Sequence, residues 1–220
     1  EKRPKIVAKR KRLGDFEVDL MMGKNHQGAL LVMTDRATLL TRLHLLSNKD
    51  SRQVSNGLKK RLAPIRRIIK TLTFDNDQAF SRHLDIGKKL NAKTYFTRPY
   101  TSQDKGTVEN RIGVIRRFFP KKTDLTKIAS SRVKEVEKMI NNRPVRKFNY
   151  KTPNQVFSEK MHLLVKLTNY KNKAIMDIKK IYLQKSILLI LVLTIGLFKI
   201  SYSSNNRAKK SIFTYKLRAE

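Results

Sequence analysis

Three short strand-like runs follow one another between residues 14 and 46, and after them helical and strand patterns alternate. In residues 14–22, Phe16, Val18 and Leu20 alternate with Asp15, Glu17 and Asp19, the period of a strand with one buried face. A turn is expected over 23–28, then strands over 29–33 and 37–46, with Thr34, Asp35 and Arg36 as a hairpin link. Ser51 is the expected N-cap of a helix running toward Pro64, with Val54, Leu58 and Leu62 at helical spacing. A fourth strand over 68–74 ends at Asp75, a helix fills 78–90, and a fifth strand fills 93–96. A helix over 103–119 carries Val108, Ile112, Ile115 and Phe119 on one stripe and stops at Pro120. A last one covers 126–140. The order β-β-β-α-β-α-β-α-α predicts an α/β domain built on a mixed sheet.

Acids are scarce in this chain: 17 Asp and Glu stand against 50 Lys and Arg, for a net charge of +33. Against that background Asp19, Asp75 and Glu109 draw notice. Asp19 lies in the first strand, Asp75 at the end of the fourth, and those strands are neighbours if the hairpin lies on the other side of the first. Glu109 follows Val108 at the edge of the apolar stripe and can point from the core toward both Asp. Carboxylates gathered from separate elements suit two Mg²⁺ ions, which take hard oxygen ligands and keep positions open for phosphate. Taken singly, each acid has an ordinary reading: a solvent-facing strand residue, an N-cap for the 78–90 helix, a helix-surface charge.

The positive charge favours a polyanion, nucleic acid above all; an AT-rich genome that writes Lys freely gives the same composition. The clusters around Lys9–Arg12, Lys59–Arg61, Arg66–Arg67 and Arg116–Arg117 are expected to meet phosphate. The absence of Cys excludes disulfides, thiol catalysis and Cys-based zinc sites. His26, His44, His83 and His162 have no metal-ligand spacing. The domain expectation is a basic linker over 1–13, a catalytic core over 14–158 and a tail over 159–220. The tail's composition suggests non-native read-through, partly helical, and its apolar run 187–198 is short for a membrane span. The start at Glu1, with no apolar signal segment behind it, is read as that of a fragment.

The words around the acids resemble a family. G-D-F-E-V-D-L-M-M-G (14–23), T-F-D-N (73–76) and P-Y-T-S-Q-D-K-G-T-V-E-N (99–110) are similar to the D-D-E core of transposases of the insertion-sequence thirty group, relatives of retroviral integrases. R-R-F-F-P-K-K-T-D-L (116–125), N-N-R-P-V-R-K-F (141–148) and K-T-P (151–153) extend the resemblance. It implies a ribonuclease-H-like mixed five-stranded sheet flanked by helices. It also implies metal-dependent DNA cleavage and strand transfer with two Mg²⁺ or Mn²⁺ ions. Asp19, Asp75 and Glu109 match the three catalytic metal ligands, and Asn110 the Asn after the catalytic Glu. Lys105, Asn110, Arg111, Arg116 and Arg117 are the expected DNA contacts.

The chain departs from the family at Phe16, Asp77, Ala79, Gln103 and Val108, where the usual residues are Trp, Gly, Glu, Trp and Asn; His83 fits the pattern. Asp77 is expected to crowd the metal site with an extra charge. These departures imply a truncated or decaying copy of an element. The resulting expectation is a transposase core acting on element ends and target DNA as a homo-oligomer, in the bacterial cytoplasm near the nucleoid and not in a membrane. The rivals are a catalytically inactive DNA-binding remnant and a basic RNA-binding protein.

Overall fold

The computed structural model describes the backbone of residues 3–98 and 105–216, and side-chain surroundings as far as residue 184 and at Ser186. The chain divides into two units, residues 1–162 and 163–220. The first unit holds a five-stranded mixed sheet in the order β3-β2-β1-β4-β5. Its strands are β1 (Asp15–Met22), β2 (Ala29–Asp35), β3 (Thr41–Leu46), β4 (Thr71–Phe74) and β5 (Lys93–Phe96). β1, β2 and β3 form an antiparallel meander, whereas β4 and β5 join parallel to β1. The helices are α1 (Lys5–Ala8), α2 (Ser51–Leu62), α3 (His83–Leu90), α4 (Gly106–Ile115), α5 (Ser130–Asn141) and α6 (Pro153–Lys216).

Two apolar clusters cover the two faces of the sheet. Phe16, Val18, Leu31, Met33 and Phe74 meet Val54, Leu58 and Leu62 of α2 and Ile86 and Leu90 of α3. Met21, Leu30, Val32 and Leu43 meet Val108 and Ile115 of α4 and Val133, Val136 and Ile140 of α5. The strand alternation therefore sorts Phe16 and Val18 to one face and Met21 to the other, as strand geometry requires. Of the expected stripe, Val108 and Ile115 are buried on α4, Ile112 is partly buried, and Phe119 is buried just beyond the helix end.

Several boundaries differ from expectation, each for a local reason. β2 runs through Asp35, and the hairpin turns beyond it. Asp35 Oδ1 there accepts from the Ala37 and Thr38 amides and the Thr38 hydroxyl at 2.8–3.1 Å, and Leu39 adopts φ +62°. β4 starts only at Thr71, because Pro64 opens a 3₁₀ segment, Ala63–Ile68. The cap of α2 is Asp50, whose carboxylate accepts from the Arg52 and Gln53 amides, and not Ser51. The 78–90 helix divides into a 3₁₀ turn, Gln78–Phe80, and α3. α4 ends at Ile115, and the expected start at Gln103 lies outside the described residues. α5 begins at Ser130, after a 3₁₀ turn at Leu125–Lys127. The basic linker contains α1, with Val7 fully buried.

Gly14 enters β1 at φ +95°, where an added Cβ would stand 1.8 Å from the Ile68 carbonyl oxygen. Only glycine can make that close approach, and it lets the Gly14 carbonyl accept from the Lys70 and Thr71 amides. In the second unit, the described side chains from Leu163 to Leu183 are exposed, Leu167 and Tyr170 among them. Among the described residues, no helix is long and apolar enough to cross a membrane.

Candidate active site

The parallel pairing of β1 with β4 aligns Glu17 with Thr73, and the same register carried two residues on puts Asp19 level with Asp75. The two carboxylates meet at one ammonium. Lys105, at the N-cap of α4, holds its Nζ 3.0 Å from Asp19 Oδ2 and 3.1 Å from Asp75 Oδ2. The other oxygens are held by protein donors. Asp19 Oδ1 accepts from the Leu20 amide at 2.8 Å, and Asp75 Oδ1 from the Asn76 amide and the Thr97 hydroxyl at 3.0 and 3.2 Å. Each Asp thus turns its Oδ2 toward a shared cation position while its Oδ1 is held.

The charges tune one another. Burial works against the charged form of Asp75, but the Lys105 ammonium outweighs it and holds the carboxyl below the usual range. Burial likewise works against the Lys105 ammonium, and Asp19 and Asp75 together keep its pKa above the ordinary lysine value. Lys105 is 7% exposed, so it is a packed ion-pair partner of the two acids and not a solvent-facing phosphate contact in this structure. The mutual repulsion expected of bare acids is thereby offset.

Glu109 stands apart from this pair. It is exposed on the first turn of α4, and among the described residues its side chain has no hydrogen-bond or ion-pair partner. Among the described residues, no group of three His, Cys, Asp or Glu side chains is close enough to hold a metal. The structure brings Asp19 and Asp75 together and sets Glu109 on the adjoining helix. Its helix is anchored next door: the Val108 amide donates to Glu17 Oε2 at 2.7 Å, and Arg36 Nη1 lies 2.8 Å from Glu17 Oε1.

The acidic face of β1 is therefore not the wet face its alternation suggests. Asp15 and Glu17 are both buried. Asp15 accepts from Arg12 and from the Thr71 hydroxyl, the latter at 2.8 Å, which ties β1 to β4. Asp77 does not join the site. It caps the 3₁₀ turn through the Ala79 amide and pairs with Lys49 at 3.2 Å.

Of the other expected DNA contacts, Asn110 and Arg117 are exposed on or just beyond α4. Arg116 is partly buried and donates to the Met22 and Pro120 carbonyls. Arg111 is a correction. It is 4% exposed and donates to the Thr41 hydroxyl and the Ile140 carbonyl, and burial, with Arg143 adding to it, pushes its pKa down to about 10. Its guanidinium braces α4 against β3 and α5 and cannot reach phosphate. The basic clusters also divide. Arg61 binds Glu137 and Lys59 binds Asp85. Arg66 and Arg67, by contrast, join Arg12, Lys70, Lys89 and Lys93 along a groove of about 990 Å³ with no acid in its lining. That groove lies at the N-terminal ends of β4 and β5, away from the end that carries Asp75.

Two carboxylates already sharing a cation, each with a second oxygen fixed, form a donor set that fits a divalent metal. The five-stranded sheet superimposes on the catalytic core domain of BIV integrase with a TM-score of 0.53 at 16% identity, covering 69% of this chain and 98% of that one. The fold is accordingly that of a retroviral-type integrase catalytic core, which is ribonuclease-H-like.

In sequence, the chain is 38% identical over 159 residues to the transposase of insertion sequence element IS4351 from Bacteroides fragilis. It is 35% identical over 156 residues to the InsI transposase of element IS30A from Escherichia coli K12. These matches take in 72% and 70% of this chain but 49% and 40% of the relatives, so the chain spans half or less of their length. No family model matches the chain. The chain is thus similar in fold to a retroviral-type integrase core and in sequence to the transposases of IS30 and its kin.

Proposed function

We propose that this core cuts and joins DNA strands by metal-dependent phosphoryl transfer, with Asp19, Asp75 and Glu109 as the metal-binding acids. The observation that carries the reading is the pairing of Asp19 and Asp75 across one cation position at the edge of an integrase-type sheet. Bound there, a pair of Mg²⁺ or Mn²⁺ ions would supply an activated hydroxyl nucleophile and a charge sink for the leaving oxygen. The chain's own residues do the rest. The Leu20 and Asn76 amides and the Thr97 hydroxyl hold the Oδ1 atoms of Asp19 and Asp75, which orients the two Oδ2 atoms as ligands. Glu109 turns in from its exposed rotamer when positive charge in the site removes the repulsion among three carboxylates. Its backbone is held beside Val108, whose amide is bonded to Glu17.

DNA is the proposed partner, at element ends and target alike, with a homo-oligomer needed to hold two ends at once. The exposed Asn110 and Arg117 and the basic groove by Arg66 and Lys70 support phosphate contact outside the acid pair. A cytoplasmic, nucleoid-associated location belongs to the same proposal.

The test is metal-dependent nicking and joining of duplex DNA by the full chain. Asp19→Asn, Asp75→Asn and Glu109→Gln should each abolish it while DNA binding persists. Wild-type cleavage by Glu109→Gln would remove that residue from the ligand set. A wild-type chain that binds DNA but never cuts it would be the inactive remnant instead.

A further inference from the structure

The ammonium between the two acids has a consequence for how metal enters. Lys105 Nζ is within 3.1 Å of both free carboxylate oxygens, and it is a buried side chain held in place. The remaining oxygen of each Asp is engaged by protein donors. A divalent ion held by the same two oxygens at the usual ~2.1 Å would lie no more than about 5 Å from Nζ. Two cations that close in a partly dry site repel strongly. They cannot share it.

We propose that Lys105 is a built-in counter-ion that occupies the metal position of the metal-free protein and must be displaced before a divalent ion binds. The inference rests on the metal-site reading of Asp19 and Asp75. In the metal-free state the tether keeps two facing carboxylates neutralised. Displacement needs no backbone movement, because rotation about the four-carbon stem carries the ammonium away. The freed charge then lies at the mouth of the site, where a substrate phosphate brings negative charge. Metal entry and DNA arrival are thereby coupled: DNA offers the displaced ammonium a new partner, so metal binds better with DNA present than without it.

The probe is Mn²⁺ alone, titrated into the full chain and followed by the electron paramagnetic resonance of the free ion. Lys105→Gln should bind Mn²⁺ at least tenfold more tightly than wild type. Its metal-free melting temperature should fall, and the rise on adding Mn²⁺ should exceed that of wild type. Lys105→Arg, which keeps a cation, should bind Mn²⁺ no better than wild type. If Lys105→Gln is unfolded without metal, Mn²⁺ should refold it, since the ion replaces the lost charge; failure to do so would overturn the proposal.

An unchanged or weaker Mn²⁺ affinity in a folded Lys105→Gln chain would also overturn it. Asp19→Asn and Asp75→Asn separate the two layers. Tight binding that needs both acids but ignores Lys105 sinks the tether and leaves the metal site. Binding that ignores the acids sinks both.

Discussion

The Val108 amide donates to the buried Glu17 carboxylate at 2.7 Å, and that bond fixes where the first turn of α4 meets β1. Glu17 lies two residues before Asp19 on the same strand face, and Val108 lies one before Glu109. A bond between neighbours of the acids thus sets the distance between the elements that carry them.

Breaking this anchor should unsettle fold and site together. Glu17→Gln and Arg36→Met each strip a buried charge of its partner, which costs about 3–5 kcal/mol. Paired in one chain they should cost less than the sum, because each removes the other's orphan. Urea unfolding of the four proteins in the cycle measures both quantities.

Neutralising the acids should affect stability unequally. With the acids paired to Lys105, Asp19→Asn leaves a buried ammonium short of charge and should destabilise by about 1–3 kcal/mol. Glu109→Gln, at an exposed position, should stay within about 0.5 kcal/mol of wild type. Both should lose metal-dependent cleavage. Thermal melts run beside nicking assays check the split, and an Asp19→Asn chain more stable than wild type would count against the ion pair.

Arg111 and Arg117 should respond in opposite ways. Arg111→Met should lose about 1–3 kcal/mol of stability through the Thr41 and Ile140 acceptors it abandons, with DNA affinity unchanged in the folded protein. Arg117→Ala should keep its stability and lower the slope of log affinity against log salt by about 1. Fluorescence anisotropy with a labelled duplex at several salt concentrations gives the slope.

The basic groove makes a separate claim on DNA. Lys70→Glu with Lys93→Glu should weaken duplex binding evenly across sequences and steepen no preference, since phosphate contacts carry no base information. Asp75→Asn should bind at least as well as wild type. Equal affinity for the groove variant and wild type would make the groove a solvated surface.

Removing residues after His162 should leave the core intact. Every residue of both apolar clusters falls between Phe16 and Ile140. The shortened chain should unfold at the same urea concentration as the full one and be more soluble, because the exposed Leu and Tyr side chains between residues 163 and 183 go with it. A lower midpoint would show that the tail supports the core.

Much of the sheet is legible because strand signals are local: β1 follows its apolar alternation, β2 is a continuous apolar run buried on both faces, and β5 keeps its expected bounds. The neighbourhood of β1 and β4, and with it the pairing of Asp19 with Asp75, is expected from sequence only if the hairpin lies on the other side of β1, as it does. What escaped was tertiary. Glu17 looked wet because alternating acids usually mark a solvent face, and only the docking of α4 reverses that. Lys105 and Arg111 looked like phosphate contacts because charge type says nothing about whether a side chain points in or out. The hairpin was placed too early because Asp35 draws the turn around its own buried carboxylate, a demand that composition does not reveal.

The hydroxyl of Thr71 reaches Asp15 across 56 positions of sequence, and the side chain of Asn141 grips the backbone of Thr41 across 100. Contacts of such span close late in folding, after the local meander has formed. The pairing of Asp19 with Asp75 likewise waits on the docking of β4 beside β1. A slip of one residue at that moment would turn Asp75 to the opposite face. The bond from Thr71 to Asp15 is made only in the register that sets Asp19 beside Asp75.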